Sequence, residues 1–144
     1  MPDGREVVLT PEAREIVREV LAPHVDGLDD PEASIAEFAR RWTYFTAGCE
    51  AGFWIGDAVY ADILDCRDFL ELVRDAGVAL GPALDAAVQA ADDRFLAATD
   101  ATPVPFIATV APMPADWWRS RVPRVCKDEY LAAYVASWRA RSGG

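Results

Sequence analysis

The chain has 144 residues, 52% of them hydrophobic, and carries 24 Asp and Glu against 14 Lys and Arg, for a net charge of −10. That length suits one domain with its own core, and that apolar share argues against a disordered chain. The negative field argues against nucleic acid and anionic membranes as partners, because both carry the same sign.

Taken in chain order, Glu6–Leu9 (EVVL) is short and β-prone, so residues 1–9 are expected to form an N-terminal arm or a short strand. Thr10-Pro11-Glu12-Ala13 then opens a helix, with Thr as the cap, Pro in the first turn and Glu at the positive end. Ala13, Ile16, Val17, Val20 and Leu21 give that helix an apolar face, and Pro23 ends it. The same opening recurs at Asp30-Pro31-Glu32-Ala33; Ile35, Phe38, Ala39, Trp42 and Phe45 mark the second helix, and Tyr44 points away from that stripe. The repeated phrase is a capping signal, too short to be a structural repeat.

Phe53-Trp54-Ile55-Gly56 fits either a buried turn or a short strand. The spacing of Val59, Ile63, Cys66, Leu70 and Val73 predicts a third helix from about Asp57 to Ala76, with a break near Asp65 and a stop at Gly77. Pro82 begins a fourth, with Leu84, Ala87, Val88, Ala91 and Phe95 inward. Thr102–Pro114 holds four prolines, so it is expected to lie extended against the body. A fifth helix is expected over Asp128–Arg141, with Leu131, Tyr134, Val135 and Trp138 buried and the tail at 142–144 frayed. These elements predict a mainly α fold: one domain over residues 1–144, an irregular assembly of about five helices with a few short extended segments.

The three cysteines, Cys49, Cys66 and Cys126, are scattered and form no metal-ligand spacing. An odd, dispersed set is the pattern of a reduced, cytoplasmic protein. The first residues lack the apolar run of a signal peptide, and no run is long enough for a membrane helix. A thiol enzyme needs a histidine beside the cysteine, and His24 is the only one. The serines stand in no nucleophile-elbow context, and the glycines form no phosphate loop.

Asp62, Asp65, Asp68 and Glu71 step by three along the third helix. Such a row can offer oxygen ligands to Mg²⁺, which makes Asp62, Asp65 and Glu71 the weak alternative for a metal-dependent hydrolase. The apolar stripe of the same helix explains the spacing better: the acids fill the remaining, solvated positions. No cofactor is expected.

Charge is divided unevenly. Residues 1–116 carry 8 basic and 22 acidic groups, whereas residues 117–144 carry 6 and 2. The basic segment opens with two tryptophans and three arginines: Trp117, Trp118, Arg119, Arg121 and Arg124. Two arrangements compete. In one, the arginines face outward and hold an anionic group beside a tryptophan. In the other, the strap folds back on the acidic helices, one tryptophan plugs the core and the arginines pair with acids such as Asp92, Asp93 or those of Asp57–Asp75. In an extended chain adjacent tryptophans face opposite ways, which would leave one partly exposed.

The phrase DDRFLAATD (Asp92–Asp100), followed after a Pro-containing stretch by DWWRSRVP (Asp116–Pro123), resembles a pattern in uncharacterised small acidic proteins of high-GC bacteria. In that group a D-x-R-F-x-x-x-T phrase precedes one built on paired tryptophans, arginine and proline. The resemblance covers about a third of the chain. It brings no known activity and no catalytic residues, and it implies that Arg94, Phe95, Trp117, Trp118 and Pro123 form one structural unit.

Together these features predict a non-enzymatic acidic protein, an interaction module of neutralising or immunity type that binds a basic protein. The alternative is a small-molecule or anion-binding protein whose pocket combines Trp54, Trp117, Trp118 and Tyr134 with Arg119, Arg121 or Arg124.

Overall fold

A computed structural model describes residues 7–107 and 117–142. Five helices carry the fold: α1 (Pro11–Leu21), α2 (Pro31–Thr46), α3 (Asp57–Asp75), α4 (Pro82–Ala98) and α5 (Glu129–Ser142). The protein is mainly helical, as its sequence periodicity predicts.

The helix starts follow from local chemistry. Ala13 N–H donates to Thr10 Oγ1 at 3.1 Å, and Ala33 N–H donates to Asp30 Oδ1 at 3.1 Å. Each bond satisfies an amide that has no partner inside its helix. At α5, Asp128 Oδ1 accepts from the amides of both Tyr130 and Leu131. Helix α3 ends on Gly77, whose φ of 86° is the left-handed conformation glycine allows. There Gly77 N–H donates to Arg74 O and Val78 N–H to Val73 O, closing the last turn of carbonyls.

Helix α2 packs against α3 on one side and α4 on the other. One hydrophobic cluster runs through all five helices. Phe95 of α4 is an aromatic hub, with ring centroids 5.1 Å from Trp42, 6.0 Å from Phe53 and 6.2 Å from Trp117. Offset and edge-on contacts at these distances add to plain burial.

The expected break in α3 near Asp65 is absent: the helix is continuous. Val59, expected on its buried stripe, is exposed, and the neighbouring Tyr60 is buried instead, its ring against Phe45 and Phe53. Residues 7–9 form no strand; Val7 and Leu9 are buried as an arm with Val8 exposed between them, and residues 1–6 lie outside the described residues. The Phe53–Ile55 segment resolves as a single parallel bridge from Phe53 to Cys126. Phe53 N–H donates to Val125 O, and Lys127 N–H donates back to Phe53 O. Within the proline segment, Phe106 and Ile107 are buried against the body; positions 108–116 lie outside the described residues.

A short antiparallel pair closes the molecule. Strand β1 (Thr99–Ala101) pairs with β2 (Arg121–Pro123) in the register Thr99↔Pro123, Asp100↔Val122, Ala101↔Arg121. Between them, Trp117–Ser120 makes one 3₁₀ turn.

Candidate functional site

The 3₁₀ turn decides the direction of the two tryptophans. Trp118 is 1% exposed and Trp117 is 38% exposed. Their rings meet edge-on at 5.5 Å, so the pair is bent over the core edge and does not alternate as a strand would. Trp118 Nε1–H donates to Asp68 Oδ1 at 2.7 Å. The guanidinium of Arg119 donates to Asp68 and, at 2.6 Å, to Asp65. Desolvation pulls the Arg119 pKa down, but the hydrogen bonds to Asp68 and Asp65 and the charges of both carboxylates together outweigh it and raise the pKa.

Behind Trp118 lies a second buried pair. Arg67 donates to both carboxylate oxygens of Asp92 at 2.9 Å, and Trp42 Nε1–H donates to the same carboxylate at 2.8 Å. The Arg67 guanidinium also stacks on the Trp118 ring, 4.2 Å from its centroid. The two pairs therefore form one chain of contacts: Trp42, Asp92, Arg67, Trp118, Asp68, Arg119, Asp65. It joins α2, α3, α4 and the basic segment.

The remaining arginines serve the end of α4. Arg121 donates to Thr99 Oγ1 at 2.7 Å and to Thr99 O at 2.8 Å. Arg124 donates to Ala97 O at 2.7 Å and to Asp100 at 2.8 Å. Cations at this position satisfy terminal carbonyls and oppose the negative helix end. The basic segment is thus an internal strap. Of the two acids named for it on α4, Asp92 pairs with Arg67 and Asp93 accepts from Gln89, whereas Asp65 and Asp68 of α3 take Arg119.

The pocket expected from Trp54, Trp117, Trp118 and Tyr134 is not assembled. Trp118 is enclosed by Asp68 and Arg67. Tyr134 donates to Phe106 O at 3.3 Å, and Arg119 is held inside. Trp54 instead lines a groove between α2 and α3 with Tyr44, Val59, Ile63, Arg40 and Arg41. Its ring meets Tyr44 edge-on at 5.7 Å.

The acidic row on α3 does not converge either. Asp62 is exposed, Asp65 and Asp68 face Arg119, and Glu71 lies 3.8 Å from Arg67 and 3.9 Å from Arg74. Among the described residues no group of three or more His, Cys, Asp or Glu is arranged to hold a metal ion. His24 packs beside Phe69, with ring centroids 6.3 Å apart. Burial pushes the thiols of Cys49 and Cys66 up to about 11 and raises that of Cys126, so none is a thiolate near neutral pH.

Sequence periodicity missed the buried roles of Arg67, Asp68 and Asp92. A signal was there. Arg67 stands four residues after Ile63 and three before Leu70, inside the apolar stripe, and Asp68 continues the buried line of Tyr60 and Leu64.

No protein-family model, curated protein or solved structure matches the chain. Among the described residues no helix is long and apolar enough to cross a membrane.

Proposed function

We propose that this protein is a non-enzymatic, cytoplasmic interaction module that binds a basic protein through its acidic surface, in the manner of a small neutralising protein. The observation that carries this reading is the allocation of charge. Arg67, Arg119, Arg121 and Arg124 are spent on internal carboxylates and carbonyls. Glu12, Glu19, Asp26, Asp62, Asp75 and Asp93 stay exposed, with no basic partner among the described residues. These ion pairs cancel within the fold, so the net charge of −10 is expressed by exposed acids such as these, and such a field steers a basic partner toward encounter.

The test is capture of binding proteins on the immobilised full chain at low and moderate salt, followed by the triple variant Glu12→Lys, Glu19→Lys, Asp26→Lys. The expected result is a retained basic protein whose affinity falls with salt and falls further in the variant. Retention of nothing, or of a protein indifferent to both salt and charge reversal, would overturn the reading.

A further inference from the structure

The groove between α2 and α3 encloses about 420 Å³, within the range of small-ligand sites. Its lining is apolar and aromatic: Phe45, Ile55 and Ile63 lie deep, while Tyr44, Trp54 and Val59 stand 66%, 47% and 43% exposed. Three large side chains left open together, two of them in edge-on ring contact, are a patch and not scattered surface residues.

The charges on its rim are unequal in their commitments. Arg40 is tied to Glu37 by two hydrogen bonds, at 2.6 and 2.8 Å, so that carboxylate attracts Arg41 but gives its hydrogen bonds to Arg40. Arg41 is half-buried, and its one hydrogen-bond acceptor among the described residues is Cys66 Sγ at 3.6 Å. Sulfur is a weak acceptor, and a guanidinium has five N–H donors. Burial holds the Cys66 thiol protonated at neutral pH, so it does not neutralise Arg41. Of the nearby acids, Asp65 is committed to Arg119, and Asp62 points to solvent without an ion pair among the described residues.

A half-buried cation with no hydrogen-bonded carboxylate among the described residues, beside an open aromatic floor, matches a ligand with an apolar body and one anionic end. We propose that the groove between α2 and α3 binds a small apolar carboxylic acid, with the acid's ring or chain on Tyr44, Trp54 and Val59 and its carboxylate on Arg41. The planar fork of Arg41 accommodates a carboxylate through two parallel hydrogen bonds. This site is separate from the acidic surface and does not depend on the interaction reading.

The test is calorimetric titration of the full chain with 2-naphthoic acid and with 2-naphthamide, which share the ring and differ in charge. The acid is expected to bind about tenfold more tightly than the amide. Arg41→Gln is expected to erase that preference, bringing the acid down to the affinity of the amide. Trp54→Ala is expected to weaken both ligands equally. Helical circular dichroism of each variant checks folding. Should Arg41→Gln misfold, Arg41→Lys replaces it, keeping the charge, losing the fork and giving an intermediate preference. Equal affinity for acid and amide, an acid preference that survives loss of Arg41, or no binding of either ligand would overturn the proposal.

Discussion

Asp68, on a helix whose sequence reads as a solvated acidic face, accepts the indole N–H of Trp118 from fifty residues away. The same carboxylate holds Arg119, so its two oxygens fix both anchor residues of the strap. Removing it takes from Arg119 its fully buried carboxylate, whereas Asp65, another of its partners, is half-exposed. Breaking a buried pair from one side costs about 3–5 kcal/mol. Asp68→Ala should therefore lower stability by that amount in urea unfolding, while Asp62→Ala, at an exposed position, should change it by less than about 0.5 kcal/mol.

Arg67 and Asp92 form a separable prediction. Arg67→Met alone strands a carboxylate in the core and should cost about 3–5 kcal/mol. Asp92→Asn combined with Arg67→Met removes both charges and keeps an oxygen for Trp42 Nε1. The double variant should recover most of the loss, and a double-mutant cycle measured by chemical denaturation gives the coupling directly.

The thiols predict how stability varies with pH. In the unfolded chain Cys49 and Cys66 ionise near their ordinary value of 9.0, whereas in the folded protein they ionise near about 11. Between those limits the folded state holds more protons than the unfolded state, so stability falls as pH rises. Below about 9 the two states are equally protonated at these sites and they add no slope. Tyr60, raised well above 10.0 by burial, extends the fall further. Urea midpoints measured under reducing conditions should be flat in this respect near neutrality and drop above pH about 9. In the native protein a thiol reagent should label half-buried Cys126 before the other two.

Gly52 has a φ of 134°, and a Cβ there would stand 2.7 Å from Lys127 Cγ. It precedes the bridge by which Phe53 holds the segment leading into α5. Gly52→Ala should cost about 1–3 kcal/mol, seen as a lower thermal midpoint, with the loss concentrated in amide protection at Phe53 and Lys127.

Much of this fold is legible in the chain because the helix signals are local. Thr10-Pro11 and Asp30-Pro31 state where α1 and α2 begin, and Gly77 states where α3 ends. The buried polar network is not local, and its clearest clue is geometric. Three residues turn a helix about 60° short of a full circle, so a row at that spacing rotates as it climbs. Asp62 is exposed, Asp65 half-buried and Asp68 fully buried for that reason. A row read as one face is really a path from solvent into the core. The groove escaped notice for a related reason: Arg41, Tyr44, Trp54 and Val59 come from three segments, and no single periodicity contains them.

Both indole hydrogen bonds of the network, Trp42 to Asp92 and Trp118 to Asp68, span fifty residues. Neither can form inside one helix or one hairpin. Helices α1 to α4 without the strap would lose the donors Trp118 and Arg119 from Asp68 and the ring on which Arg67 stacks. The loss of those contacts, and of the Trp118 side chain from the core, makes the first hundred residues a poor independent folding unit. The strap thus makes the protein indivisible: its early helices reach their final burial only when residues from the far end of the chain arrive to neutralise them.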